Sequence, residues 1–185
     1  MSAVVVNFFG GPGAGKSTLA LGVASKLKRS AEVNCEFVHE FAKELTWESR
    51  NAALGNQTWI LGYQYEMLRR CVDQVDVIIT DTSLLCSTIY CHNYNLPFAK
   101  EIEDLAVAMF KSMNNLTFVV DREKEYNPIG RYQTEEEARA IDDEVLELLV
   151  SFDVNYYTVP GNEMGEVMVL KRIATYLAEQ DDCPF

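Results

Sequence analysis

The sequence is short of positive charge. Sixteen Lys and Arg stand against 28 Asp and Glu in 185 residues, a formal net charge of −12. A surface that carpets duplex phosphates is normally basic, so any contact with nucleic acid has to be local rather than driven by bulk charge. The same deficit argues against an anionic membrane surface. No run of 18 apolar residues occurs, which excludes a transmembrane helix. Histidine is scarce, with only His39 and His92. The five cysteines are odd in number and form no CxxC pair, so neither a zinc site nor a disulfide framework is expected. Reduced thiols and a cytoplasmic location follow from that usage. Residues 1–9 lack a basic start, and their apolar run reads as a buried strand rather than a signal peptide.

The rest is ordinary globular composition, 48% hydrophobic and 24% charged, which argues against disorder. The length suits one domain over residues 1–185. Residues 3–9 (AVVVNFF) are continuously apolar and β-branched or aromatic, as in a parallel strand buried on both faces. Further strands are predicted over 33–39, 75–80, 116–120 and 155–159. Helices are predicted over 16–29, 40–50, 57–71, 84–93, 98–113, 135–150 and 163–178, with a break at Gly55-Asn56 and a frayed tail from Glu179. Thr134 is placed to cap the helix from 135, whose first turn carries Glu135, Glu136 and Glu137. Alternation of this kind predicts a doubly wound, three-layer α/β/α sandwich with a parallel sheet. Ligands then sit at the carboxyl ends of the strands, near Gly10, His39-Glu40, Asp81 and Asp121-Arg122.

Gly10-Gly-Pro-Gly-Ala-Gly-Lys-Ser17 fits GxxxxGK[ST] between a predicted strand and a predicted helix. Residue frequencies put a chance match at on the order of 0.01. Backbone amides of Gly11, Gly13, Ala14 and Gly15 are expected to cradle phosphates, with the helix N-terminus behind Ser17 and Thr18 adding its dipole. Lys16 reaches the β- and γ-phosphates and the Ser17 hydroxyl ligates Mg²⁺, which makes ATP and Mg²⁺ the expected cofactors. Asp81 ends the apolar strand VIITD, the position of a Walker B carboxylate that holds the metal.

No N-K-x-D string is present to read guanine, and the chain is short for a motor. A kinase needs a basic lid over the transferred phosphoryl group. The polar loop 121–133 supplies Arg122, Lys124 and Arg131, with Arg139 beyond it. The alternative is a solvated loop whose arginines pair with Glu135 to Glu137.

FFGGPGAGKST, FVHEFAKEL, VIITDTSLL and the lid string YNPIGRYQTEEEARAID together resemble a family of small phage-type P-loop proteins. These are described as AAA-type ATPases, or as kinases similar to nicotinamide riboside kinase and thymidylate kinase. The resemblance extends to phage 5-hydroxymethyluracil DNA kinases and covers nearly the whole chain. It implies the strand order 2-3-1-4-5 and phosphorylation of a hydroxyl on a nucleoside-like acceptor, foremost the hydroxymethyl base of modified DNA. A free nucleoside, nucleotide or riboside is the alternative acceptor, and a nucleotide-dependent switch for a partner is the non-kinase alternative.

On the acceptor side, two carboxylates stand at strand ends. Asp81 is read as the metal ligand, and Glu40 as the group that takes the acceptor's hydroxyl proton or holds a metal-bound water. A Glu at this place resembles the general base of deoxynucleoside kinases. His39, Lys43, Trp59, Tyr63, Gln64 and Arg69 are candidate acceptor contacts. The aromatics stack on bases, Gln57 and Gln64 read a base edge, and the cations meet a phosphate. Trp47 and Tyr90 add to the aromatic density, whose other reading is core packing. A strip of Arg69, Arg70, Lys100, Lys111, Arg122 and Lys124 is what DNA binding would require.

Overall fold

The computed structural model describes residues 2–123 and 125–181. Lys124, one of the expected lid cations, and Cys183 lie outside the described residues. Five strands form one parallel sheet: β1 (Val4–Phe9), β2 (Cys35–Val38), β3 (Val77–Thr80), β4 (Asn114–Asp121) and β5 (Tyr157–Pro160). Their order is β2-β3-β1-β4-β5, as the resemblance implied.

β1 is central because every one of its residues is buried. A strand covered on both faces has no solvent side on which to place a polar residue. Val4, Val6 and Phe8 face α1 (Lys16–Ser30) and α7 (Glu163–Asp181), meeting Leu19, Val23, Val169 and Ile173. Val5 turns to the other face, toward Leu61 and Leu68 of α3 (Gln57–Arg69) and Ile102 of α5 (Ala99–Lys111). Phe9 packs where α4 (Cys86–Asn93) meets α6 (Glu135–Ser151), among Ile89, Val145 and Leu149. Each buried Phe of β1 contributes about 1.5–3 kcal/mol.

β4 starts two residues earlier than hydropathy predicts, at Asn114. The reason is an amide pair, buried at Asn7 and half-buried at Asn115. Asn7 is 1% exposed in mid-β1, and its Nδ2 donates to Asn115 Oδ1 at 2.9 Å and to Val5 O at 3.0 Å. Two polar residues that satisfy each other extend a strand without an apolar signal. The helix predicted over 40–50 is also shorter. α2 (Phe41–Trp47) stops, Ser49 adopts a φ of +57°, and a 3₁₀ turn over Asn51–Gly55 leads into α3.

Thr134 caps α6 in a reciprocal box: Glu137 N donates to Thr134 Oγ1 at 3.2 Å, and Thr134 N donates to Glu137 Oε2 at 2.7 Å. Thr134→Val is expected to cost about 1 kcal/mol of unfolding free energy, read as a lower urea midpoint with unchanged slope. Cys35, Cys71, Cys86 and Cys91 are free thiols, and burial pushes Cys35 up to about 11. Among the described residues, no helix is long and apolar enough to cross a membrane.

Candidate active site

β1 ends at Phe9 and the chain turns through the glycine loop into α1. Gly10, Gly13 and Gly15 have φ of +139°, +80° and +105°, which side chains with a Cβ rarely adopt. Lys16 Nζ donates to Gly10 O at 2.6 Å and to Gly11 O at 3.0 Å, so the lysine is held over the loop's own carbonyls. The first turn of α1 carries no acid to cancel its positive end.

α6 braces this loop from behind. Gly11 N donates to Asp142 Oδ1 at 2.5 Å, and a Cβ on Gly11 would lie 2.0 Å from Ala138 O. Asp142 Oδ2 accepts Arg122 Nε and Nη2, both at 2.9 Å, while Arg122 Nη1 donates to Pro12 O at 3.0 Å. Arg122, expected as a lid cation over the phosphates, is instead a strut between β4, α6 and the loop, its side chain 6% exposed. Gly11 and Ala14 were expected among the phosphate-binding amides. The Gly11 amide is taken by Asp142, and Ala14 is 2% exposed, so neither lines the cavity described next. Arg122→Ala would leave the Asp142 carboxylate uncompensated beside the phosphate loop. ATP affinity is then expected to fall at least about tenfold, with partial recovery in the Arg122→Ala/Asp142→Ala double variant, both measured by calorimetry.

A cavity of about 240 Å³ opens in front of the loop. Gly13, Gly15, Lys16, Ser17 and Thr18 line one end. Glu40 and the α2 residues Lys43, Thr46 and Trp47 line a wall, with Gln57, Tyr90 and Tyr94 deeper. Residues Ile129 to Gln133 of the lid cover it. The cover is close: Gly130, at φ +71°, has no Cβ, and one there would lie 2.5 Å from Trp47 Cζ2. Arg131 lines the cavity, its guanidinium 5.5 Å from the centroid of the Tyr126 ring and bonded to Asn127 O. Tyr126 in turn donates its hydroxyl to Gln133 O, so the lid is tied across its own base.

Glu40 stands between β2 and α2, and its backbone N–H donates to Asp81 Oδ1 at 2.8 Å. Asp81 follows β3 and is 2% exposed. The neighbouring strands bring the two carboxylates together, with Val38 beside Thr80. The Glu40 carboxyl is raised above the usual range chiefly by burial; Asp81 adds to the rise, while Lys16 and Lys43 oppose it. Glu40 is the only carboxylate lining the cavity among the described residues.

The other expected acceptor contacts divide. Lys43 lines the cavity. Trp59 and Tyr63 do not: both pack on Phe41, with ring centroids 4.8 Å and 4.2 Å away, because α3 lies over the start of α2. Gln64 is 4% exposed, and both ends of its amide are committed. Its Oε1 accepts Phe41 N at 3.0 Å and its Nε2 donates to His39 O at 3.1 Å. His39 is exposed and pairs with Glu44, while Arg69 is exposed and doubly bonded to Glu66. Each of these three was a candidate contact, and each is occupied by a nearer partner. Arg139 pairs with Glu135, as the solvated-loop alternative had it. Tyr94 and Tyr132, which no sequence motif marks, also line the cavity. Tyr94 lies one helical turn beyond Tyr90, a spacing that would have found it.

The glycine loop with its lysine and serine, at the carboxyl edge of a 2-3-1-4-5 parallel sheet, defines a P-loop nucleotide-binding protein. The AAA domain family model matches residues 5–166, and the chain belongs to that family. Two solved NadR structures share the fold. The complex with NAD and AMP-PNP aligns with a TM-score of 0.73 at 17% identity, over 94% of this chain and 49% of that one. The complex with NR aligns with a TM-score of 0.73 at 18% identity, over 94% of this chain and 50% of that one. The chain therefore spans about half the length of each. No curated protein sequence matches it.

Proposed function

We propose that the chain is an ATP- and Mg²⁺-dependent kinase acting on a hydroxyl of a small nucleoside-like acceptor. Glu40 carries this reading. A phosphate acceptor is already ionised and is repelled by a carboxylate, whereas a hydroxyl acceptor needs a base within reach. Glu40 shares the cavity with Lys16 and Ser17. In the proposed step the acceptor oxygen bonds to the γ-phosphorus, the bond to the β-bridging oxygen breaks, ADP leaves, and the hydroxyl proton passes to Glu40. Lys16 and Arg131 offset the charge spread over the transferred group.

Ser17, which lines the cavity, would hold Mg²⁺ directly, and Asp81, which is buried outside the lining, would hold it through a metal-bound water. Both offer hard oxygen ligands, and one or two protein ligands with phosphates suffice for this ion, which suits a site without a larger acidic cluster among the described residues. When bound, the ion neutralises charge on the β- and γ-phosphates.

Two observations favour a small acceptor over a base in DNA. The lid closes on Trp47 over a cavity of about 240 Å³. Arg69, Arg70, Lys100 and Arg122 of the basic strip each sit on a carboxylate, so they do not offset the acidic surface. The fold shared with proteins solved with AMP-PNP and NR supports the same choice. The free thiols support a cytoplasmic location.

The test is transfer of labelled γ-phosphate from MgATP. Acceptors are nicotinamide riboside, a nucleoside and nucleotide panel, and DNA containing 5-hydroxymethyluracil, with Lys16→Ala as the blank. Label on a free riboside or nucleoside is expected. Label on the modified DNA alone would overturn the small-acceptor reading. ATP binding with no acceptor labelled would overturn the kinase in favour of the switch.

A further inference from the structure

We infer that Gln57 selects the acceptor, its side-chain oxygen accepting a hydrogen bond from an N–H or amino group on the acceptor's heterocycle. The inference deepens the kinase reading and rests on it for the acceptor's hydroxyl.

Gln57 opens α3 and is 3% exposed. Its Nε2 donates to Leu54 O at 2.6 Å. That contact fixes which way the amide points, since the reversed amide would set oxygen against carbonyl oxygen. Oε1 therefore faces away from Leu54, and it is buried with no hydrogen-bond partner among the described residues. A buried carbonyl oxygen left unpaired is unfavourable and uncommon. Gln64, the amide favoured from the sequence, has no such capacity left, because both of its ends are used on α2.

Position makes the free oxygen informative. Gln57 lines the main cavity and also a small annexe of about 20 Å³ behind it. The annexe has room for one water and none for a ring. Glu40 and Tyr90 also line both spaces. One molecule in the main cavity is thus offered a base for its hydroxyl by Glu40 and aromatic walls by Trp47, Tyr90 and Tyr94. The Gln57 oxygen is closed to solvent here, and a small turn of its side chain about the bond to Leu54 O would present it to that molecule as an acceptor. A heterocycle presenting a lone pair at this edge would face the Gln57 oxygen lone pair to lone pair and be rejected.

The test is calorimetric binding to the full chain with AMP-PNP and Mg²⁺, using probes paired so that only the donor differs. The pairs are cytidine with pyrimidin-2-one riboside, adenosine with purine riboside, and nicotinamide riboside with 3-acetylpyridine riboside. At least one donor-bearing probe is expected to bind, with its twin at least about tenfold weaker. In Gln57→Met, which keeps the length and removes the oxygen, the pair should converge to within about twofold. Equal binding of every pair that binds, no binding by any probe, or a gap that survives in folded Gln57→Met overturns the inference. The wild-type pairs decide the question even where the variant fails to fold. Phosphate transfer measured alongside separates the two claims. Transfer without discrimination removes the role of Gln57 and leaves the kinase; discrimination without transfer removes the kinase and leaves Gln57 as a binding determinant.

Discussion

Glu40→Gln is expected to lower kcat about 10²- to 10⁴-fold, the range for loss of a positioned general base. The substitution keeps the side-chain shape and removes only the ability to take a proton. Binding of MgATP, held at the other end of the cavity, should change little. The pH profile gives the sharper readout. Burial and Asp81 raise the Glu40 carboxyl above the ordinary glutamate range, with Lys16 and Lys43 opposing. Activity should climb as pH rises through that raised value, because only the ionised form accepts a proton. The acid limb should then lie above the range of a free glutamate, and it should be absent from the residual activity of Glu40→Gln. The stability sign follows from the same shift. A carboxyl with a raised folded-state value favours folding below its unfolded value, and that contribution is lost as pH rises through the folded one. Glu40→Gln should gain stability relative to wild type over that window, read as a variant-minus-wild-type difference in melting temperature that is larger at neutral pH than at acid pH. A variant that is more stable and less active is what a charge buried for function predicts.

The sheet was legible because its physics is local. A strand covered on both faces must be continuously apolar, and AVVVNFF is so except at Asn7. That one polar residue is satisfied by Asn115, which hides the start of β4 from a hydropathy reading. The loop at Gly10 to Ser17 was legible for a similar reason: positive φ and close backbone approach leave glycine as the residue of choice at fixed intervals. The acceptor side was far less so. Residue type told where a glutamine or arginine is able to act, and tertiary competition decided whether it is free to. Gln64 and Arg122 have the right chemistry, yet Phe41 N, His39 O and Asp142 claim it. Trp59 and Tyr63 share a helix face as expected, and Phe41 is what that face covers. No spacing rule identifies the residue whose oxygen is left over, which is why Gln57 is told apart from Gln64 only once its neighbour Leu54 is known.

Lys16→Ala should separate function from folding in the opposite sense to an ordinary core substitution. Transfer is expected to fall about 10²- to 10³-fold, as for loss of a preorganised group that meets transition-state charge. Removal of Lys16 takes a cation from the positive end of α1, where the helix dipole disfavours it. The hydrogen bonds to Gly10 O and Gly11 O go with it, but both carbonyls belong to a loop that Asp142 and Arg122 still brace from behind. The melting temperature without nucleotide should therefore stay within a few degrees of wild type, a change of under about 1 kcal/mol. Nucleotide-dependent stabilisation should shrink sharply, because a ligand raises stability only in proportion to its affinity for the folded chain. Lys16→Arg tests whether charge alone is enough. The guanidinium is broader and planar, and the ammonium is already seated within 3.0 Å of two loop carbonyls. A substantial recovery of transfer in Lys16→Arg would show that the seat is looser than these contacts imply. Failure to recover, with ATP still bound, would place the requirement in the geometry that the loop imposes on a single compact cation.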